Sequence, residues 1–226
     1  MTVTTRDPAA TRRRLLTAAA RCFADHGFHG TTIREIAERA GVNVAAGNYH
    51  FGSKKDLYLE VLRGEFDRAK AALAASGASP SPAELAALDS DAVAAVLVAR
   101  SRVMLETLVA PPGLHGRLMQ REMTDPSEAL PTIVDEFITP WTEELKAIVA
   151  RLQPGLDDAT LERCAMSIVA QAMFYRTAMP IVLRIWKRRQ YPTDVLDGLA
   201  AHIATFSVGG LAAVATAPRR RTSRAR

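Results

Sequence analysis

Residues 31–58 read TTIREIAERAGVNVAAGNYHFGSKKDLY, and the punctuation of this stretch decides the fold. Thr31-Thr32 offers a helix N-cap, and Glu35 stands three residues after Thr32 in a capping-box arrangement. Ile33, Ile36, Ala37 and Ala40 then recur at helical spacing, and Gly41 stops the segment. Asn43 can cap a second short helix through about Phe51. Gly52-Ser53 breaks and restarts the chain. The second helix has an odd composition: Val44, Ala45, Ala46 and Gly47 lead it, and Asn48, Tyr49 and His50 load its far end.

Upstream, Leu15, Leu16, Ala19, Cys22 and Phe23 form one apolar stripe of a longer helix, Pro8 to Asp25, which Arg12, Arg13 and Arg14 flank and Gly27 ends. Two short helices joined by a tight glycine turn and braced by a longer one form a helix-turn-helix. In that motif the second helix enters the major groove and the first crosses the phosphate backbone. The composition then has a cause, because a helix approaches base edges closely only if its leading residues are short. Val44, Ala45 and Ala46 are short, and their methyl groups can pack on thymine methyls. Asn48 suits adenine, and Arg34 can reach a guanine or a phosphate. Tyr49 and His50 can donate to phosphate oxygens. Lys54 and Thr32 sit in first turns, where backbone amides favour an anion. With Asn43, these ten are the expected DNA-contacting residues.

The same segment resembles the DNA-binding region of the TetR/AcrR family of bacterial repressors, on Thr-Thr, Ile-Ala, Ala-Gly-Val, Tyr-His-Phe, Ser-Lys and Leu, with LLTAAARCFADHGFHGTT upstream. The commoner family pattern has Gly-Thr-Leu-Tyr after Gly-Val-Ser. The form found here, with Asn48 before Tyr49, is similar to the CecR-like subgroup, as are QREMTDPSEALPTIVDEFITPW and LERCAMSIVAQAMFYRTAMPIV. That subgroup usually places a large aliphatic side chain at position 47. Gly47 removes it and costs about 1 kcal/mol of helix propensity, so the expectation is a recognition helix frayed without DNA and stabilised by Gly47→Ile. The resemblance implies a homodimer on a double-stranded DNA operator, released by an apolar or amphipathic small-molecule effector. It implies no cofactor.

Beyond residue 55 the periodicity predicts further helices: one to Ala75, then a SGASPSPAE loop, then helices over Asp89–Ala110, Leu114–Thr124, Pro131–Leu152, Asp157–Arg189 and Thr193–Ala215. Pro140 and Pro180 are expected bends. The helix over Asp157–Arg189 is apolar nearly all round, and the last one carries Gly209-Gly210, so the two together suit a four-helix interface between subunits. His202 is expected at a helix interface. Met104, Met119, Met123, Phe137, Trp141, Met173, Phe174 and Tyr175, with Gln171 to orient a ligand, are the candidates for a pocket. Taken singly, each of these residues at helical spacing suits a core better than a pocket wall.

The expected architecture is all-α. An N-terminal three-helix helix-turn-helix DNA-binding domain occupies residues 1–55. A larger helical ligand-binding and dimerisation domain follows over 56–217, with a basic disordered tail over 218–226. Charge divides the same way. Residues 1–55 hold nine Lys/Arg against four Asp/Glu, residues 56–217 hold fifteen against twenty, and the tail holds five basic residues and no acidic one. A basic head on an acidic body points the head at a polyanion.

The two cysteines, Cys22 and Cys164, lie far apart in apolar patterns and suit a reducing cytosol. The N-terminus has no signal-peptide core, and no stretch is expected to approach the roughly 20 uncharged apolar residues of a membrane span, which points to the cytoplasm. No phosphate loop, nucleophile elbow or paired metal-binding histidines occur. Gly27 separates His26 from His29 and breaks up a metal site with Cys22. A DNA-binding protein that senses nothing, and more distantly a helical enzyme, are the alternatives.

Overall fold

In the computed structural model, which describes residues 7–111 and 113–216 without the side chain of Asn48, every regular element is helical. The expected tail and the end of the body at residue 217 lie outside the described residues. The head comprises α1 (Pro8–His26), α2 (Ile33–Ala40) and α3 (Val44–Phe51), and α4 (Lys54–Ala75) leads out of it. The body contains α5 (Pro82–Ala87), α6 (Ser90–Val109), α7 (Leu114–Thr124), α8 (Leu130–Ile133), α9 (Thr139–Leu152), α10 (Asp158–Thr177), α11 (Met179–Ile185) and α12 (Thr193–Thr216).

Local chemistry places most of these ends. The Asp7 carboxylate accepts from the Ala9 amide and Pro8 starts α1, where its missing N–H is not needed. Thr32 caps α2 at the Glu35 amide, and left-handed Gly41 ends it. The expected capping box is only half made, because Glu35 turns its carboxylate 2.9 Å from the His26 Nδ1 instead. A full box occurs at Ser81 and Glu84, starting α5 inside a segment expected to be loop.

Both prolines stand where a helix expected to be continuous is interrupted. Pro140 begins α9 and is preceded by one π-helical turn over Val134–Ile138, whose wider spacing accommodates a residue with no amide hydrogen. Pro180 does more than kink the expected long helix. That helix ends at Thr177, and α11 leaves at 72°.

Two cores result. One is formed by Leu15, Phe23, Ile36, Leu57, Tyr58, Leu62 and Phe66 of the head and α4, and continues into Leu118 and Met119 of α7, Ile133 of α8 and Phe137 of the π turn. The other lies between α6, α9, α10 and α12. Helix α7 therefore belongs to the body by connection and to the head by packing. Its approach to α6 depends on Gly116, where a Cβ would stand 2.0 Å from the Leu108 carbonyl oxygen.

The membrane expectation fails on α12. By length and composition this helix could cross a bilayer, because Asp197 is followed by no Asp, Glu, Lys or Arg up to Thr216. Only 33% of its apolar window is buried within the chain. The remainder is an open face, and His202 lies on it beside Phe206 instead of at an internal helix interface.

His115 of α7 is buried against Phe66, with ring centroids 4.7 Å apart. Burial, with the Arg68 charge adding to it, pushes its pKa down to about 4. A base whose folded pKa lies below its unfolded value loses stability as pH falls, since the unfolded chain takes the proton first. Stability should thus decline between about pH 6.5 and pH 4, by up to about 3 kcal/mol at the lower end from this group. A His115→Leu variant should show a shallower decline in urea midpoint over the same window.

Candidate nucleic-acid interface

The outer face of α3 is assembled from its two ends. Asn43 caps the helix by accepting from the Ala45 amide at 3.0 Å, which leaves its side-chain amide hydrogens outward. Val44 and Ala45 are exposed, and Tyr49 is 84% exposed, an extreme value for an aromatic residue. Such a side chain on an otherwise economical head calls for a partner. The opposite face packs inward through Phe51 and the half-buried Ala46 and His50. Ala46 therefore braces the head as well as adjoining the expected reading face.

On α2, Arg34 is 80% exposed, tethered only to Glu38 one turn on, and free to swing. Thr32 is exposed at the start of the same helix. Lys54 differs from the sequence expectation in what its ammonium already holds. It donates to the Phe28 carbonyl at 3.0 Å and the Thr31 carbonyl at 3.2 Å, and lies 4.2 Å from the Phe28 ring centre. Two of its three protons tie the loop before α2 to α4, and at most one remains for a phosphate. The Asn48 expectation concerns a side chain outside the description.

Sequence reasoning missed two arginines that shape the head from behind. Arg12 pairs with Glu60 and stacks over Phe51, and Arg14 donates to the Gly41 carbonyl at 3.1 Å. Both were visible only as a basic run.

The nine pocket candidates do not converge. Met119 and Phe137 are buried in the head-side core, where Phe137 stacks on Phe66 at 4.8 Å, and Trp141 packs against the same ring. Met104, Met173 and Tyr175 pack against the other core, and Gln171 donates to the Ser207 hydroxyl at 3.1 Å. Met123 and Phe174 are exposed. None lines any of the three clefts found. Helical spacing selected mostly residues packed on the two cores here, since the same 3.6-residue period marks a core face and a pocket wall.

Gly47 also departs from expectation. A Cβ there would lie 3.0 Å from the Ile33 Cγ2, so close that this methyl must give by a few tenths of an ångström to admit a side chain. Gly47→Ile should therefore lower the melting temperature, by overpacking worth about 1–3 kcal/mol, and a rise would restore the frayed-helix reading. Lys54→Ala should reduce both melting temperature and DNA affinity, the stability loss being on the order of 2 kcal/mol. Arg34→Ala should reduce affinity alone, because an exposed pair one turn apart contributes only about 0.3–0.5 kcal/mol.

Comparison with known proteins matches this architecture. Residues 15–61 match the model for bacterial regulatory proteins of the tetR family, and residues 95–211 match the C-terminal domain of the HTH-type transcriptional dual regulator CecR. The chain is 31% identical over 219 residues to the HTH-type transcriptional repressor AcnR of Corynebacterium efficiens, covering 95% of this chain and 94% of that protein. It is 31% identical over 147 residues to CecR of Shigella flexneri, covering 62% and 63% of the two. A TetR-family regulator from Streptomyces coelicolor shares the fold with a TM-score of 0.65 at 19% identity, over 90% of this chain and 96% of that one. AibR, solved with isovaleryl coenzyme A and operator DNA, gives 0.61 at 16% identity, over 88% and 97%. These are regulators and not enzymes. The chain belongs to the TetR family of bacterial transcriptional regulators and carries a C-terminal domain of the CecR type.

Proposed function

We propose that the chain acts in the cytoplasm as a homodimeric repressor, reading a pseudo-palindromic operator through α3 and leaving it when a small molecule binds the body. The observation that carries this reading is the outer face of α3, where Val44, Ala45 and Tyr49 stand exposed on a basic head. Short side chains let that helix approach base edges, and the surrounding arginines suit phosphates.

The second copy is proposed from the open apolar face of the body. Met166 and Phe174 of α10, Ile181 and Ile185 of α11, and Phe206 and Val214 of α12 are all exposed. Gly209 and Gly210 meet nothing within 4 Å where a side chain would project, so a partner helix can come close. A face this apolar on a helix only one-third buried matches an interface between subunits. Two heads related by a two-fold axis would then meet half-sites spaced by about one helical turn, 34–36 Å, or a multiple of it.

Release needs a route from body to head, and α7 offers one. Arg117 pairs with Asp25 at 2.7 Å, Arg121 donates to the Asp25 carbonyl, Glu122 accepts from the Tyr58 hydroxyl at 2.8 Å, and His29 reaches the Pro126 carbonyl at 3.1 Å. A ligand that favours a different placement of α7 shifts the head with it, and it need only bind the non-operator state better. AibR was solved with a small thioester and operator together, which supports a sensing body on this fold.

Selection of genomic fragments by the purified protein, followed by a salt titration on the best one, tests the DNA reading. The expected result is an enriched inverted repeat whose affinity falls steeply with salt. Enrichment of no sequence would leave only a non-specific binder. For the dimer, Phe206→Glu should halve the mass measured by light scattering and weaken operator binding at least tenfold. An unchanged mass would rule out this face as the interface.

A further inference from the structure

A cleft of about 900 Å³ opens between α1 and α4 of the head side and the end of α6 and start of α7 on the body side. Leu16, Ala20 and Val61 supply apolar wall, while Arg21, Arg117 and His115 supply polar groups. The carboxylates that line it are committed: Asp25 to Arg117 and Arg39, Glu60 to Arg12 and Arg63, Glu65 to Arg68, and Glu106 to Arg102. The basic groups are not all so committed.

Arg176 of α10 is not a wall residue of this cleft but stands at its edge, next to Gly113. Its Nη1 would stand 3.9 Å from a Cβ on Gly113, a residue of the cleft wall. It has no hydrogen-bond or ion-pair partner among the described residues, and its Nε is buried. Burial, and after it the Arg117 charge, lowers its pKa from the usual guanidinium value. The Nε of Arg117 is likewise buried without a partner. Arg176 is thus an unpaired guanidinium beside a second, Arg117, whose Nη1 is paired with Asp25 and whose Nε is not, an arrangement that costs stability unless an anion completes it.

The start of α7 adds donors at the same place. Its N-cap is Gly113, held at φ 60°, and no side chain caps the first-turn amides. Those amides carry the positive end of an 11-residue helix. In that first turn stands His115, 7% exposed, with its Nδ1 buried and unpartnered. A helix start alone would mean little. The orphaned, buried Nδ1 of His115 on the cleft wall and the unpaired Arg176 next to Gly113 mean more.

We propose that this cleft at the head–body junction binds the oxyanion end of a small organic anion, a carboxylate or phosphoryl group, between Arg176, Arg117 and the first turn of α7. The apolar wall accommodates the rest of the molecule, and the bound anion joins α7 and α10 of the body to the helices that carry the head. None of the nine residues that sequence periodicity selected lines this cleft. As an assignment of effector class it rests on the proposed function; as a binding site it is independent of DNA.

The test uses the full chain without DNA, in Tris-chloride. Inorganic phosphate and malonate are titrated separately by calorimetry, each against sodium chloride at matched ionic strength. The expected result is saturable binding of at least one probe at one site per chain, with a rise in melting temperature; which probe binds identifies the headgroup. Arg176→Gln should weaken that binding tenfold or more. The same variant should melt no lower, and rather higher, than the parent in oxyanion-free buffer, because it removes an uncompensated cation; this separates a lost ligand from a lost fold. Arg163→Gln, exposed on the same helix, should bind as the parent does. No saturable heat with either probe, or unchanged affinity in Arg176→Gln, would overturn the site. Binding that leaves operator affinity unchanged would uphold the site and reject only its role as effector.

Discussion

The arrangement of this molecule depends on one close approach, that of α7 to the end of α6. At Gly116 the two backbones come so near that even a methyl group would meet the Leu108 carbonyl oxygen at 2.0 Å. With α7 held there, Leu118 and Met119 complete the core under the head, Glu122 receives the Tyr58 hydroxyl, and Arg117 and Arg121 reach the end of α1. Without it the head would keep only the short cores of three helices, too small to be firmly stable alone. Head and body are joined by buried apolar surface as well as by the length of α4, so a movement in one carries into the other.

That joining is selective in chemistry. Where α7 meets the head core, contacts are apolar and close-packed. On its other sides they are charged or polar, with Arg117 and Arg121 at Asp25, Glu122 at the Tyr58 hydroxyl, and the Nε of Arg117 left without a partner. An apolar junction resists sliding because packed side chains must interlock. The unpaired guanidinium of Arg176, next to the N-cap of α7, lacks such a constraint and is left without a counter-charge. The two kinds of contact adjoin on one helix, with Arg117 next to Leu118 in the chain.

The head was largely legible in the sequence. Caps, glycine stops and the two-short-helix spacing are local features, set by backbone amides that must be satisfied within a few residues. Thr32, Gly41, Asn43 and Ser53 all punctuate where expected. Some legible signals were passed over: Ser81 and Glu84 announce α5, and the uncharged run after Asp197 is visible to a simple count. Others were not legible. That Lys54 turns back to Phe28 and Thr31, that Ile33 crowds Gly47, and that Glu35 prefers His26 to its own cap are choices between partners brought near only by folding.

The sequence by itself determined which segments are helical, where most of them stop and which short helix presents small residues outward, since these follow from periodicity and from the geometry of glycine, proline and capping side chains. Tertiary structure alone decided which apolar residues became core and which stayed open. A Met or Phe at helical spacing has the same pattern on a buried face, a pocket wall or a subunit interface, and only the position of neighbouring helices distinguishes Met119 from Met123 or Phe137 from Phe174. The orphaned groups at the start of α7 arise in the same way, because whether an arginine finds a carboxylate depends on distances across the fold that no spacing along the chain records.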